Sequence, residues 1–302
     1  MGKFKAIILS LRLRTLPLSL SGIILGIFLA ASEYRIDPLA AGLLALTAIL
    51  LQILTNLSNE LGDVLKGTDA VREGGPMYAL DKGLLSVSDM KKLIVIFALT
   101  SFFCGVFMII RAFGTLWCTE GLCLLVFGIG AIISAMRYTL GRNPYGYRAL
   151  GDIYVFVFFG FATVLGGYFI LAREILSWHL VLPACAIGFF SVGVLNVNNI
   201  RDAKTDVLTR KTVAILLGDK WARIYQTALI CAGWICALLY CALRFFDPWH
   251  YLFVLTAPMY LIHLRGVWKL KDKDLDPMLP VLVMGTFLFA ILMGLGFVIF
   301  LF

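Results

Sequence analysis

The sequence predicts an all-α protein that crosses a lipid bilayer as a bundle of nine helices. Hydrophobic residues make up 61% of the 302-residue chain, against roughly 45–50% in soluble domains, and the mean hydropathy is +0.94. The apolar residues form runs of about 20 along the whole chain, which is the length that spans a bilayer as a helix. Only 15% of residues are charged, and they cluster between these runs. The pattern excludes a soluble enzyme with one apolar anchor.

The first apolar run follows a basic stretch with Lys3, Lys5, Arg12 and Arg14, an arrangement that signal peptides share. We interpret the run as a first membrane helix because many further runs follow it. Short outer connections alternate with longer inner ones. In chain order, the predicted spans are 16–33, 38–58, 91–112, 121–139, 152–172, 180–198, 221–243, 248–268 and 279–301.

Lysine and arginine are distributed unequally between the two ends of these spans. Of the 26 basic residues, 22 fall on the side of the N-terminus, and the other side keeps Arg35, Arg111, Arg173 and Arg244. Because cytoplasmic loops carry the excess of Lys and Arg, the N-terminus is expected in the cytoplasm and the C-terminus outside. That orientation requires an odd number of spans, which nine satisfies. The net charge of +8 is therefore interpreted as topology and not as nucleic-acid binding.

The acidic residues also favour the cytoplasmic side, by 13 to 5. Orientation does not explain this, because Asp and Glu contribute little to it; a function at that face is the expected reason. The seven Cys contain no CxxC pair and lie mostly in apolar runs, and the three His are scattered. We interpret these as packing residues and not as a metal set.

Two polar clusters follow the second and the sixth predicted spans, at the cytoplasmic face. The first runs from Asn56 to Asp69, and the second runs from Asn196 to Asp206. They lie four spans apart in the same orientation, which indicates a weak internal repeat. Both contain the pattern N-[EN]-x-x-D, which aligns Asn59 with Asn198, Glu60 with Asn199, and Asp63 with Asp202.

The spacing within the clusters indicates a metal and phosphate site. Residues four apart share a helix face, so each cluster presents a stripe of oxygen atoms just below the hydrocarbon. Mg²⁺ prefers oxygen ligands and is commonly held by one or two carboxylates together with substrate phosphates. Basic residues that would neutralise a diphosphate accompany the clusters: Arg14, Lys66, Arg72, Arg142, Arg201, Lys204 and Lys211. We therefore predict a Mg²⁺–diphosphate site.

At these residues the sequence resembles the UbiA superfamily of intramembrane prenyltransferases, whose members carry two Asp-rich motifs at the cytoplasmic ends of the second and sixth of nine helices. The span count, motif positions and spacing match over nearly the whole chain. Further strings resemble one branch, the 1,4-dihydroxy-2-naphthoate polyprenyltransferases of menaquinone synthesis. These strings are 14–17 (RTLP), 52–57 (QILTNL), 66–69 (KGTD), 144–147 (PYGY), 150–152 (LGD) and 198–202 (NNIRD).

The chain departs from the family pattern at a few positions. Glu60 stands where many relatives have Asp, which keeps a carboxylate. Asp69 lies six residues past Asp63, a spacing that suits the naphthoate branch. Tyr138 and Arg142 have the spacing of a Tyr–Lys pair in the 4-hydroxybenzoate branch, so Arg142 is expected to replace that lysine as a diphosphate partner.

The resemblance implies transfer of a polyprenyl group from polyprenyl diphosphate to 1,4-dihydroxy-2-naphthoate, with loss of CO₂, to give demethylmenaquinone. It implies one domain over residues 1–302 of a multi-pass protein of the cell membrane, with cytoplasmic active-site loops at about 59–90 and 199–220. The expected Mg²⁺ ligands are Asn59, Asp63, Asp69, Asn198, Asp202 and Asp206. Asp63, Asp202, Arg142 and Lys211 are expected to be catalytic. Expected substrate-binding residues are Arg14, Lys66, Arg72, Tyr138, Tyr145, Arg201 and Lys204. Tyr147 is a further candidate for shielding a cation, although interfacial aromatics are equally expected at these tyrosines.

Several alternatives stay open. 4-Hydroxybenzoate and homogentisate are the rival acceptors within the superfamily. A CDP-alcohol phosphotransferase normally has one continuous acidic motif with a DG pair, which this chain lacks. A transporter is the non-enzyme alternative, but transporters place ionisable residues near mid-membrane, whereas here the acids lie at the ends of the spans.

Overall fold

A computed structural model describes residues 2–67, 79–80, 82–174, 177–245 and 247–299. Over these residues the secondary structure is helical, apart from one isolated bridge between Arg148 and Lys211. The α-helices are α1 (Lys3–Leu11), α2 (Leu16–Glu33), α3 (Pro38–Leu65), α4 (Val87–Phe113), α5 (Thr119–Arg137), α6 (Gly151–Val155), α7 (Thr163–Ala172), α8 (Val181–Asp206), α9 (Val213–Leu217), α10 (Asp219–Leu243), α11 (Ala257–Lys269) and α12 (Met278–Val298).

Eight helical segments within the described part of the chain are long and apolar enough to cross a membrane. They coincide with eight of the nine predicted runs: Lys3–Glu33, Pro38–Leu65, Val87–Phe113, Thr119–Arg137, Gly151–Ala172, Trp178–Asp206, Asp219–Leu243 and Asp272–Val298. The predicted all-α membrane fold is confirmed at this level.

The predicted span 248–268 differs from the other eight. It is helical, but a 3₁₀ helix at Pro248–Thr256 precedes α11. Two prolines, two histidines and Arg265 lower its apolar character, so it is not among the eight segments. Proline lacks the backbone N–H that continues an α-helix, which accounts for the divided structure.

The motif helices extend further than the predicted spans. α3 continues to Leu65 and α8 to Asp206. Residues 59–65 and 199–206, where the predicted active-site loops begin, are therefore helical. The polar residues are tolerated in these helices because they lie in the last two turns and face other polar groups. Residues 68–78, which hold the predicted ligand Asp69 and the predicted diphosphate partner Arg72, lie outside the described residues.

α8 is the most buried of the eight segments, and α5 is the least. α8 packs against α10, α12 and a π-helix at Phe156–Ala162 that joins α6 to α7. Gly160 of the π-helix allows this approach, since a Cβ there would lie 2.6 Å from the Ala184 carbonyl oxygen. The wider π-turn changes which aromatic side chains face the interior. α8 therefore lies at the centre of the bundle, with its motif in its last turns.

Candidate active site

A cavity of about 890 Å³ lies inside the bundle and ends at both polar motifs. Along α3 its lining residues run from Leu44 to Asn59, a rise of about 22 Å at 1.5 Å per residue. The lining is mostly apolar. Its polar end is formed by Arg12, Arg14, Gln52, Asn59, Tyr138, Asn198, Arg201 and Asp276. The shape fits a long apolar chain with a charged head.

One residue of each motif borders the same cavity. Asn59 and Asn198, which occupy equivalent positions, line the same cavity. Asp63 and Asp202 are both buried, with exposures of 6% and 9%, and neither lines the cavity. Each motif therefore presents one amide to the cavity, and its carboxylate lies one helical turn further along the same helix.

Asp63 is held by a tyrosine from the segment after α5. The Tyr147 hydroxyl donates a hydrogen bond of 2.6 Å to its carboxylate. The Nζ atom of Lys66, the residue that caps α3, lies 4.4 Å from the centroid of the Tyr147 ring. Desolvation lowers the pKa of Lys66, and the charge of Asp63 partly opposes that shift. Tyr147 thus holds the Asp63 carboxylate in place. This role differs from the cation shielding predicted from the sequence.

Glu60 does not face the cavity. Its buried carboxylate accepts hydrogen bonds from the Ser10 hydroxyl (3.1 Å) and from the Leu80 backbone N–H (2.8 Å). From the sequence alone, Glu60 is expected to preserve the family chemistry as a carboxylate. The structure instead gives it a role in attaching α1 and residues 79–80 to α3, because adjacent helix residues point about 100° apart.

Asp202 pairs with its neighbour in the chain. Arg201 binds the Asp202 carboxylate through Nε (2.8 Å) and Nη2 (2.7 Å) and also donates to the Asn198 side-chain oxygen (2.8 Å). Its Nη1 donates to Asp276, just before α12, over 2.6 Å. Asp276 carries no motif signal in the sequence, and its part in the site follows only from the folding of α12 against α8.

Asp206 pairs with Arg210, which is not among the predicted site residues. The Arg210 Nη2 lies 2.5 Å from the Asp206 carboxylate, at an i,i+4 spacing that is a recognisable signal for an ion pair. Burial alone would lower the pKa of Arg210, but Asp206 and Asp63 raise it above its usual value. Arg210 thus carries a fixed positive charge between residues of both motifs.

Aromatic rings line the cavity beside this charged end. Tyr145 stacks on Tyr154 with centroids 3.8 Å apart and meets Tyr138 edge to face. Its hydroxyl donates to the Ser134 carbonyl oxygen over 2.6 Å. Burial raises the pKa of Tyr138 to about 12 and also raises that of Tyr145. Both remain neutral phenols at physiological pH, so their ring faces can stabilise a cation.

The other predicted basic residues are not all brought to the cavity. Arg14 lines it. Arg142 lies in an exposed bend and does not line it. Lys204 is exposed and pairs with Asp272 over 2.6 Å. The Lys211 side chain is exposed, while its backbone pairs with Tyr147 and Ala149 and it borders a second recess beside Arg210.

The chemistry of the donor set fits Mg²⁺ bound jointly with a diphosphate. Within the described ranges, no three His, Cys, Asp or Glu side chains form a ready metal cluster. The motifs nevertheless supply oxygen ligands: the three buried carboxylates of Asp63, Asp202 and Asp206, and the cavity-lining amides of Asn59 and Asn198. Mg²⁺ commonly takes only one or two carboxylates and completes its shell with water and phosphate oxygens.

Residues 19–282 match the model of the UbiA prenyltransferase family. Two similar proteins are 1,4-dihydroxy-2-naphthoate octaprenyltransferases. The one from Escherichia coli is 38% identical over 95% of this chain and 93% of its own length, and the one from Haemophilus influenzae is 36% identical over 95% and 94%.

Among solved structures, a UbiA homologue from Aeropyrum pernix K1 superposes with a TM-score of 0.70 at 17% identity, covering 100% of both chains. A structure of digeranylgeranylglyceryl phosphate synthase has a TM-score of 0.60 at 18% identity and covers 97% of this chain and 99% of its own. At these identities the likeness concerns the fold. Together with the family match and the two relatives, it establishes that the chain belongs to the UbiA prenyltransferase family.

Proposed function

We propose that this protein transfers a polyprenyl group from polyprenyl diphosphate to 1,4-dihydroxy-2-naphthoate, with loss of CO₂, to give demethylmenaquinone. One observation carries the proposal: the equivalent amides Asn59 and Asn198 both line one long, mostly apolar cavity. The relatives named for this activity match 95% of the chain and support the choice of acceptor.

The donor lies with its tail in the apolar part of the cavity and its diphosphate at the polar end. Arg14 and Arg201 line that end and bind the phosphate oxygens, since guanidinium groups bind phosphate through paired donors. Lys66 and Arg210 add positive charge behind Asp63. Lys211, Lys204, Arg142 and Arg72 remain candidate donor contacts.

Asn59, Asp63, Asp69, Asn198, Asp202 and Asp206 would hold Mg²⁺. When bound, this ion supplies Lewis-acid charge that stabilises the leaving diphosphate. Asp63 and Asp202 place their carboxylates one turn behind Asn59 and Asn198, and the Tyr147 hydroxyl orients the first of them.

The allylic C–O bond breaks as the diphosphate departs, and the allylic cation forms a bond to the electron-rich naphthoate ring. The ring carboxylate then leaves as CO₂, and the electron pair of its C–C bond stays on the ring. The immediate product is the 1,4-dihydroxy form, and dissolved O₂ oxidises it by two electrons to demethylmenaquinone. Tyr138, Tyr145 and Tyr154 stand beside the charged end and stabilise the cation through their ring faces. The apolar lining excludes water, which would otherwise capture the cation.

The whole chain acts as one domain in the cell membrane and crosses it nine times, with the active site at the cytoplasmic face. The 22-to-4 distribution of basic residues supports this orientation. The divided helix at 248–269 supplies the ninth crossing, and it packs against α10 and α12.

The test is to incubate purified protein with farnesyl diphosphate, Mg²⁺ and, separately, 1,4-dihydroxy-2-naphthoate, 4-hydroxybenzoate or homogentisate, and to identify products by mass. We expect a prenylated, decarboxylated naphthoquinol, or the quinone that dissolved O₂ forms from it, in the first reaction only, and neither when EDTA replaces Mg²⁺. A product from 4-hydroxybenzoate alone would overturn the acceptor, and full activity in EDTA would overturn the metal requirement.

A further inference from the structure

Arg201 stands between the cavity and Asp202. Arg201 lines the cavity together with Asn198 and Asp276, whereas Asp202 does not. The guanidinium group covers the Asp202 carboxylate with two hydrogen bonds and is itself only 9% exposed. A ligand that approaches Asp202 from the cavity therefore meets Arg201 first.

We propose that Arg201 is an exchangeable cover: when a divalent cation binds Asp202, Arg201 leaves that carboxylate and is retained by Asp276 at the cavity wall. This inference rests on the proposed function, since it concerns how the same site loads its cation. Asp276 acts here as a positioning residue, because it acts on the cation only through Arg201.

Charge explains why the cover must move. A divalent cation on Asp202 would lie within a few ångströms of the guanidinium group, and two cations at such a distance repel strongly in a buried site. Moving Arg201 away from Asp202 also frees the Asn198 side-chain oxygen, which accepts from the same Nη2 atom. One movement thus removes Arg201 from two of the predicted ligands.

Asp276 provides the second position for the guanidinium group. It already accepts from Nη1 over 2.6 Å, and its side chain is 54% exposed, which leaves it room to follow the movement. A buried arginine separated from every carboxylate would carry an unpaired charge, which is strongly unfavourable. Without Asp276, Arg201 would therefore stay on Asp202 and oppose cation binding. In its retained position, Arg201 faces the cavity, where the diphosphate of the donor is placed.

The experiment measures Mn²⁺ binding by electron paramagnetic resonance on the purified full chain, with no prenyl donor present. Asp276→Asn is expected to weaken Mn²⁺ binding by about tenfold, the effect of losing one charge-assisted hydrogen bond. Asp276→Glu keeps the carboxylate and is expected to restore most of the affinity. Arg201→Met removes the cover and is expected to tighten Mn²⁺ binding.

A double-mutant cycle separates this role from a simple effect of charge near the site. In the Arg201→Met background, Asp276→Asn should no longer change the Mn²⁺ affinity. Asp272→Asn is the matched control, because Asp272 joins the same segment to α8 through Lys204 but contacts no motif carboxylate. Asp272→Asn should leave the Mn²⁺ affinity within about twofold of the wild-type value. Its thermal melting curve should match that of Asp276→Asn, so that a difference in affinity does not come from a difference in stability.

Equal weakening by Asp276→Asn in both backgrounds would overturn the exchange and indicate direct electrostatics. Unchanged affinity in Asp276→Asn would overturn it as well. If the wild-type chain formed prenylated product but bound no Mn²⁺, the exchange would be wrong while the transferase function stood. If Mn²⁺ bound as expected and no product formed with any acceptor, only the proposed function would fail.

Discussion

Neighbouring residues of the first motif have different tasks, because a helix turns each side chain about 100° from the last. Asn59 lines the cavity, Glu60 attaches α1, and Asp63 accepts from Tyr147. Residues that belong to one sequence motif therefore contact different parts of the structure. Its two carboxylates should respond very differently to the same conservative change.

Asp63→Asn is expected to lower kcat/KM on the order of 100-fold or more, because it removes a charged ligand that would hold the cation at the leaving group. Glu60→Gln is the matched control from the same motif. Its amide oxygen can still accept from Ser10 and Leu80, so activity should stay within a few-fold. Initial rates with purified variants check both. Similar losses in the two variants would contradict the division of roles.

At the scale of elements, the first motif depends on close contact between α3 and the segment after α5. The Thr139 hydroxyl shares its one proton between the Ser58 carbonyl oxygen (2.9 Å) and the Asn59 side-chain oxygen (3.2 Å). A Cβ at Gly62 would lie 2.6 Å from the Thr139 Cβ and 2.9 Å from its backbone oxygen. Glycine at position 62 therefore permits the contact that orients Asn59.

Gly62→Ala is expected to destabilise the protein by about 1–3 kcal/mol, because the added methyl group must push α3 away from a Thr139 that its own hydrogen bonds hold in place. Activity should fall with stability, since Asn59 moves. Gly42→Ala on the same helix is the control: a Cβ there meets nothing within 4 Å, and alanine favours a helix. Thermal unfolding in detergent should show a lower Tm only for Gly62→Ala. A Tm unchanged from wild type would show that α3 can shift freely.

At the scale of the whole molecule, the number of crossings decides on which side the C-terminus lies. Eight segments within the described residues are long and apolar enough to span a membrane. Whether the divided helix at 248–269 forms a ninth crossing decides the count. Its prolines and histidines weaken its hydropathy, yet its place between α10 and α12 and the distribution of basic residues both favour a crossing.

Fusion of alkaline phosphatase to the C-terminus tests this count. Nine crossings place the C-terminus outside, so the phosphatase fusion should be active and a green fluorescent protein fusion at the same position should be dark. Fusions after Lys269, which precedes the last span, should give the opposite result. Fluorescence at the C-terminus would show an even number of crossings and require 248–269 to lie on one side.

The sequence alone determined the features that arise from local patterns. Apolar run length predicts the spans, the positive-inside rule predicts the orientation, and the repeated N-[EN]-x-x-D pattern locates both motifs. Asn59 and Asn198 could be placed at one site because their helix positions are equivalent.

The tertiary structure decided the rest, because it depends on contacts between residues far apart in the chain. Only packing shows that Glu60 faces α1, that Tyr147 reaches Asp63, and that Asp276 holds Arg201 at the cavity wall. A charge pair that is close in the chain can be identified from its spacing, as the i,i+4 pair Asp206–Arg210 at the end of α8 shows. The partner of a buried charge on another helix has no fixed spacing, since many sequence separations bring two helices together equally well.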